Sequence, residues 1–233
     1  DLYEAISDYL TREGTYGIPE RQRPLLSLLV RKIMSSSAYA LAYTLERFIK
    51  RLQIYKETGE MTSALNCVTI DYDGADEELE TQSSETLPTS CSSHDDIDCE
   101  IEELRGYCAM ARSIGEESKS KELLNALNVS FEKIKILGGQ RKALIFTESR
   151  RTQEYLYNLL EENGYAGKII LFNGSNNDAK SKDIYNCWLE KYKNTSRVTG
   201  SKSADKRQAL VEYFKDNAQI MIATEAAAEG INL

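Results

Sequence analysis

Three short apolar runs constrain this chain most: Ala143-Leu-Ile-Phe-Thr147, Lys168-Ile-Ile-Leu-Phe172 and Ile220-Met-Ile-Ala223. Runs of that length, apolar on consecutive positions, fit strands buried on both faces of a parallel sheet. Between them the periodicity changes to helical. Tyr155, Leu156, Leu159 and Leu160 follow the capping residue Ser149, and Asn163-Gly164 supplies a stop. Ile184, Trp188, Leu189 and Tyr192 mark one side of a helix from about Asp178 to Tyr192. Ser203 is expected to cap another helix, with Leu210, Val211 and Phe214 buried. The order strand, helix, strand, helix, helix, strand predicts a doubly wound α/β unit. Right-handed crossovers gather the strand C-termini on one edge, where ligands bind in this architecture.

That edge is chemically suggestive. The first strand leads into Thr147-Glu-Ser-Arg150-Arg151, the second into Asn173-Gly174-Ser175 and the third into Thr224-Glu225. Each offers hydroxyls, a glycine or guanidinium groups before a helix start. Helix N-termini present free N–H groups and a positive dipole end, so such a row can hold phosphates. Taken singly, Ser149 and Thr224 also fit ordinary N-caps.

The rest of the chain is helical or acidic. Leu25, Leu26, Leu28, Leu29 and Ile33 mark one apolar helix face. Leu41, Leu45, Phe48, Ile49 and Leu52 mark a second, with caps from Ser35-Ser36-Ser37 and a stop at Gly59. Leu123, Leu124, Leu127, Phe131 and Ile134 form another stripe, closed by Gly138-Gly139. The expected organisation is a helical lead-in over 1–58, an acidic flexible insert over 59–100, a helical connector over 101–140 and the α/β segment over 141–233.

The formal net charge of −8 argues against nucleic acid only until it is located. Residues 59–104 carry fourteen Asp and Glu and no Lys or Arg, whereas the segments before and after are mildly basic. The acidic stretch, rich in Ser and Thr, reads as a solvated linker. A sharper reading makes it a mimic of nucleic acid in a groove of the same protein. Five scattered cysteines without a CxxC pair suit a reducing cytoplasm. Cys91, His94, Cys99 and Cys108 lack the paired spacing of a zinc site, so no metal site is expected. No run of 18 apolar residues occurs, so no membrane partner is expected.

The closing segment is the most specific. Ala223-Thr-Glu-Ala-Ala-Ala-Glu-Gly230-Ile-Asn-Leu233, with Gly200-Ser201, Arg207-Gln208 and Phe214 upstream, resembles the C-terminal RecA-like helicase module of superfamily-two helicases. The nearer resemblance is to the bacterial Swi/Snf-type branch, and it covers about Lys142 to Leu233. Arg21–Leu52 looks like that branch's helical lead-in. The resemblance implies an incomplete RecA-like (P-loop NTPase-type) parallel sheet with flanking helices, preceded by a helical N-terminal segment. It implies nucleic-acid backbone contacts at Thr147, Ser149, Arg150, Arg151, Gly200, Ser201 and Thr224, and a coupling position at Glu225. Gly230 and Asn232 would face the nucleotide across a cleft between two RecA-like lobes. Both Asn173-Gly174 and Gly200-Ser201 could be the family glycine turn. Gly200-Ser201 is favoured because Arg207 and Phe214 follow at suitable distances, and the helix between the two then looks inserted.

The departures shape the functional expectation. No G-x-x-x-x-G-K-[ST] loop occurs, and Gly138-Gly139-Gln-Arg-Lys142 precedes a strand instead of following one. The family's arginine-bearing motif would follow Leu233. Phosphoryl transfer needs a phosphate cradle, a metal and compensating cations. The expected role is therefore part of an ATP-driven DNA helicase or translocase that does not hydrolyse ATP alone. No catalytic residue is expected here. ATP and magnesium belong to the parent protein and are not bound tightly by this chain. The expected partners are duplex DNA ahead of RNA, the N-terminal RecA-like lobe, a protein partner, and a second copy through an open sheet edge. The alternative is a non-catalytic interaction module of transcription or chromosome machinery. Cytoplasmic localisation is expected.

Overall fold

A computed structural model of the chain describes residues 1–69, 94–114 and 118–225. It divides into two compact units, Asp1–Glu117 and Ser118–Leu233. The helical stretch read as one connector over 101–140 is thus shared between them. The sheet unit has the expected class: a small parallel sheet between helices, with the helical segment before it.

The first unit is all-helical, with α1 (Leu2–Thr11), α2 (Arg23–Ser36), α3 (Ala38–Thr58), the short α4 (Asn66–Thr69) and α5 (His94–Ser113). Ser37 caps α3 by accepting from the Ala40 N–H at 3.3 Å, and Gly59 ends it in the left-handed region at φ +72°. Leu41, Leu45, Phe48 and Leu52 bury one side of α3 against Ile97, Ile101 and Leu104 of α5. On α2 the buried set is Leu26, Val30 and Ile33, while Leu25 and Leu28 are exposed. A helix turns 100° per residue, so a 26–30–33 stripe leaves 25 and 28 off the face. Helix α5 begins inside the acidic stretch, whose residues 70–93 lie outside the described ones.

A polar clamp closes this unit. The buried Glu100 carboxylate accepts from Tyr9 Oη at 2.6 Å and from the Tyr16 and Gly17 N–H groups at 2.8 Å each. The buried Arg51 guanidinium donates to the Tyr16 carbonyl at 3.1 Å from the other side of the same turn. A charge removed from water is tolerated only when so paired.

The second unit runs α6 (Ser118–Ile136), β1 (Ala143–Thr147), α7 (Arg150–Leu160), a π-helical turn (Glu161–Tyr165), β2 (Ile169–Phe172), α8 (Ala179–Tyr192), α9 (Lys202–Asp216) and β3 (Ile220–Thr224). The strand order is β1-β3-β2, all parallel, with Ala143 and Ile169 both in register with Ile220. Alternation along the strands splits the core in two. Ile169, Ile220 and Ile222 pack under α6 and α7, whereas Ile170, Phe172, Met221 and Ala223 pack under α8 and α9. On β1 the second face is open: Leu144 and Phe146 are 37% and 54% exposed. Lys142 ties the start of β1 to the end of α9, donating to the Phe214 and Ala218 carbonyls at 2.6 Å each.

Candidate nucleic-acid interface

The C-terminal ends of the three strands assemble from short-range chemistry. Thr147 and Thr224 are register partners on adjacent strands, so their side chains stand side by side, facing the α7 layer. Both are buried, at 6% and 1% exposure. Thr147 Oγ1 donates to the Ser149 carbonyl at 3.2 Å. Ser149 Oγ caps α7, accepting from the Thr152 N–H at 3.2 Å. Arg150 and Arg151 follow in the first turn of α7, and Arg151 pairs with Glu154 at 2.9 Å. The structure thus brings Thr147, Ser149, Arg150, Arg151 and Thr224 to one point. Glu225 follows Thr224 and is exposed. Gly230 and Asn232 lie outside the described residues.

Gln153 joins two strand ends. It is buried on α7, and its amide donates to the Phe172 carbonyl of β2 at 3.1 Å and the Ile222 carbonyl of β3 at 2.7 Å. Its oxygen accepts from Asn173 Nδ2 at 3.1 Å. Asn173 then builds the loop that follows. Its N–H donates to Asn176 Oδ1 and its own Oδ1 accepts the Asn176 N–H, each at 2.8 Å. Asn176 adopts φ +45°, a left-handed conformation that asparagine tolerates better than most residues. Asp178 closes the loop as N-cap of α8, accepting from the Ser181 N–H at 2.9 Å.

The Gly200-Ser201 pair sits at the start of α9. Gly200 takes φ +84°, and Ser201, not Ser203, is the N-cap. The left-handed glycine turns the chain into the helix one residue before the cap, which leaves Ser203 inside the first turn. Asp205 braces the same turn by accepting from the Thr199 N–H and Oγ1 at 2.9 and 2.7 Å. Those two donors hold its carboxylate below the usual range.

Lys206, one turn into α9, reaches the 173–178 loop. Its Nζ donates to Asn177 Oδ1 at 2.9 Å and to the Ser175 carbonyl at 3.4 Å. Burial pushes its ammonium pKa down, and repulsion from Lys202 and Lys182 adds to this. Gln153, Asn176, Asn177 and Lys206 were not singled out by sequence pattern. The Asn-Gly-Ser-Asn-Asn-Asp run does carry a signal, because asparagine and aspartate side chains close local turns. Nothing in the α9 pattern marks Lys206 as buried.

The one lysine following a glycine pair, Lys142, is held by carbonyls at the end of α9. Among the described residues no group of His, Cys, Asp and Glu is placed to hold a metal, and no helix is long and apolar enough to cross a membrane.

Residues 151–233 match the family model described as helicase conserved C-terminal domain. The match begins in α7, so β1, Thr147, Ser149 and Arg150 precede it. It supports a superfamily-two helicase C-terminal module in the α/β unit. No curated protein and no solved structure matches the chain.

Proposed function

We propose that this chain is part of an ATP-dependent helicase or translocase of the bacterial Swi/Snf type acting mainly on duplex DNA. The supporting observation is the helicase C-terminal match over 151–233, which takes in β2 and β3 of a parallel sheet whose strand ends gather Thr147, Ser149 and Thr224 beside two arginines. In this reading Arg150, Arg151, Gly200 and Ser201 present the surface that meets the phosphate backbone, with the buried Thr147, Ser149 and Thr224 behind it as supports. Phosphate contacts fix register and carry no base information. Glu225, at the end of the central strand, lies between that surface and the nucleotide. Gly230 and Asn232 form one wall of the ATP cleft, and a preceding RecA-like lobe supplies the phosphate cradle and magnesium. The edge of β1 and the exposed Leu144 and Phe146 fit cover by another element or a second copy.

The test is an ATPase assay on the 233-residue chain with and without duplex DNA, run alongside a binding titration. Binding without turnover is expected. DNA-stimulated hydrolysis by this chain alone would show that it holds a complete site and would overturn the assignment of roles.

A further inference from the structure

Three lysines converge beside the 173–178 loop without a function in the fold that explains them all. Lys202 and Lys206 lie at i and i+4 on α9, hence on one face. Lys182 lies one turn into α8, whose N-cap Asp178 adjoins Asn177. Lys206 is 7% exposed, while Lys182 and Lys202 are exposed. Gathering like charges costs free energy, and so does burying an ammonium. Lys142 and Lys180 end on backbone carbonyls at 2.6–2.7 Å, and Lys206 reaches the Ser175 carbonyl at 3.4 Å, whereas Lys182 and Lys202 have no such partner among the described residues. Among the described residues no carboxylate pairs with Lys182 or Lys202.

The surroundings suit an oxyanion. An ammonium has three donors, and Lys206 spends two on Asn177 and Ser175, leaving one. The first N–H groups of α9 emerge at the same end of that helix as Lys202, with the positive end of its dipole. At Gly200 nothing lies within 4 Å of where a side chain would begin, so a ligand can approach the backbone there. The loop holding Lys206 is fixed to the strand ends through Asn173 and Gln153.

We propose that Lys182, Lys202 and Lys206 form a phosphate-binding site, and that its ligand is a backbone phosphate of a nucleic-acid strand. This rests on the reading that the α/β unit tracks nucleic acid, and it extends the track from α7 to the inserted helix α8. Lysine serves here as a point charge, which suits a phosphate met without fixed geometry.

The experiment is fluorescence anisotropy of a labelled DNA duplex with the full chain across a salt series. The variants are Lys182→Ala/Lys202→Ala and, as a charge-matched control, Lys191→Ala/Lys193→Ala at the far end of α8. All four positions are exposed, so folding is preserved. The first double variant is expected to bind roughly tenfold more weakly at low salt, with the slope of log K against log salt shallower by about 1–2. The control is expected to keep the wild-type slope. If wild type binds and both double variants behave alike, diffuse charge explains the binding and this site is overturned alone. The same holds if the first variant binds like wild type. If wild type binds no nucleic acid at low salt, the underlying reading falls with it.

Discussion

Replacing Gln153 by leucine removes the joint between two strand ends while keeping side-chain volume. Three hydrogen bonds are lost, at 3.1, 2.7 and 3.1 Å, all in a side chain 2% exposed. At a net contribution of about 1 kcal/mol each, the expected destabilisation is roughly 2–3 kcal/mol. Trp188 is the only tryptophan and is buried on α8 in the core it shares with α9, so its fluorescence reports this unit separately from the helical one. That separation matters, because a chain with two compact units need not unfold in one step. In urea the midpoint should fall by roughly 1–2 M.

Gln153→Glu sharpens the test. The introduced carboxyl would face the Phe172 and Ile222 carbonyls, which can only accept. It can donate there only when protonated, so its folded pKa must rise above the unfolded value of about 4.3. A raised carboxyl pKa means that the folded state binds more protons, so stability falls as pH rises above that unfolded value. Gln153→Glu should therefore approach Gln153→Leu in stability near pH 4 and be clearly the less stable near pH 7. A midpoint shift for Gln153→Leu under about 0.3 M, or a Gln153→Glu variant whose deficit ignores pH, would refute the joint.

Gly17→Ala should break the clamp in the helical unit, because its methyl would lie 2.4 Å from Tyr9 Oη and 3.0 Å from Glu100 Oε1. A loss of about 2–4 kcal/mol is expected by circular dichroism, where a neutral result would contradict the packing. Ser201→Ala should cost about 0.5–1 kcal/mol by Trp188 fluorescence and Ser203→Ala less than about 0.5, since only the former caps α9. Tyr107 has its phenol pKa pushed up to about 12, by burial first and then by the Glu103 carboxylate that accepts its proton at 2.6 Å. Its raised folded value means a stability contribution present below pH 10 and lost as pH climbs toward 12. Melting temperatures across that window should fall less steeply in Tyr107→Phe, and identical slopes would exclude the contact.

The strands were legible because nothing competes with a run such as Ile220–Thr224, whose five residues are all buried. The stops were legible where glycine must adopt a positive φ, as at Gly59 and Gly164. Charged residues misled in both directions. Ile97, Ile101 and Leu104 keep helical spacing inside a run of Asp and Glu, so α5 starts earlier than the acidic composition suggests. Glu100 belongs to that run yet is buried, because three donors from distant residues meet it. No local pattern can show donors that arrive from 83 to 91 residues away. Lys206 is hidden for the same reason: its partners lie across a loop closed by Asn173 and Asn176.

The burial of the strand-end hydroxyls changes how the interface must work. Thr147, Ser149 and Thr224 were read as groups that touch a backbone, yet all three are nearly inaccessible. The Thr147 hydroxyl is spent on the Ser149 carbonyl, and the Ser149 oxygen on the first turn of α7. Such groups set the aim of a neighbour, the first turn of α7 with its two arginines, while Gln153 and Asn173 fix the loop that anchors Lys206. A backbone phosphate would then meet guanidinium and ammonium groups, with the threonines behind them as supports. Removing a support shifts every contact slightly and leaves the count of released counterions alone, whereas removing a cation lowers that count. Salt slope, more than affinity, therefore separates the residues that hold the strand from those that hold the holders.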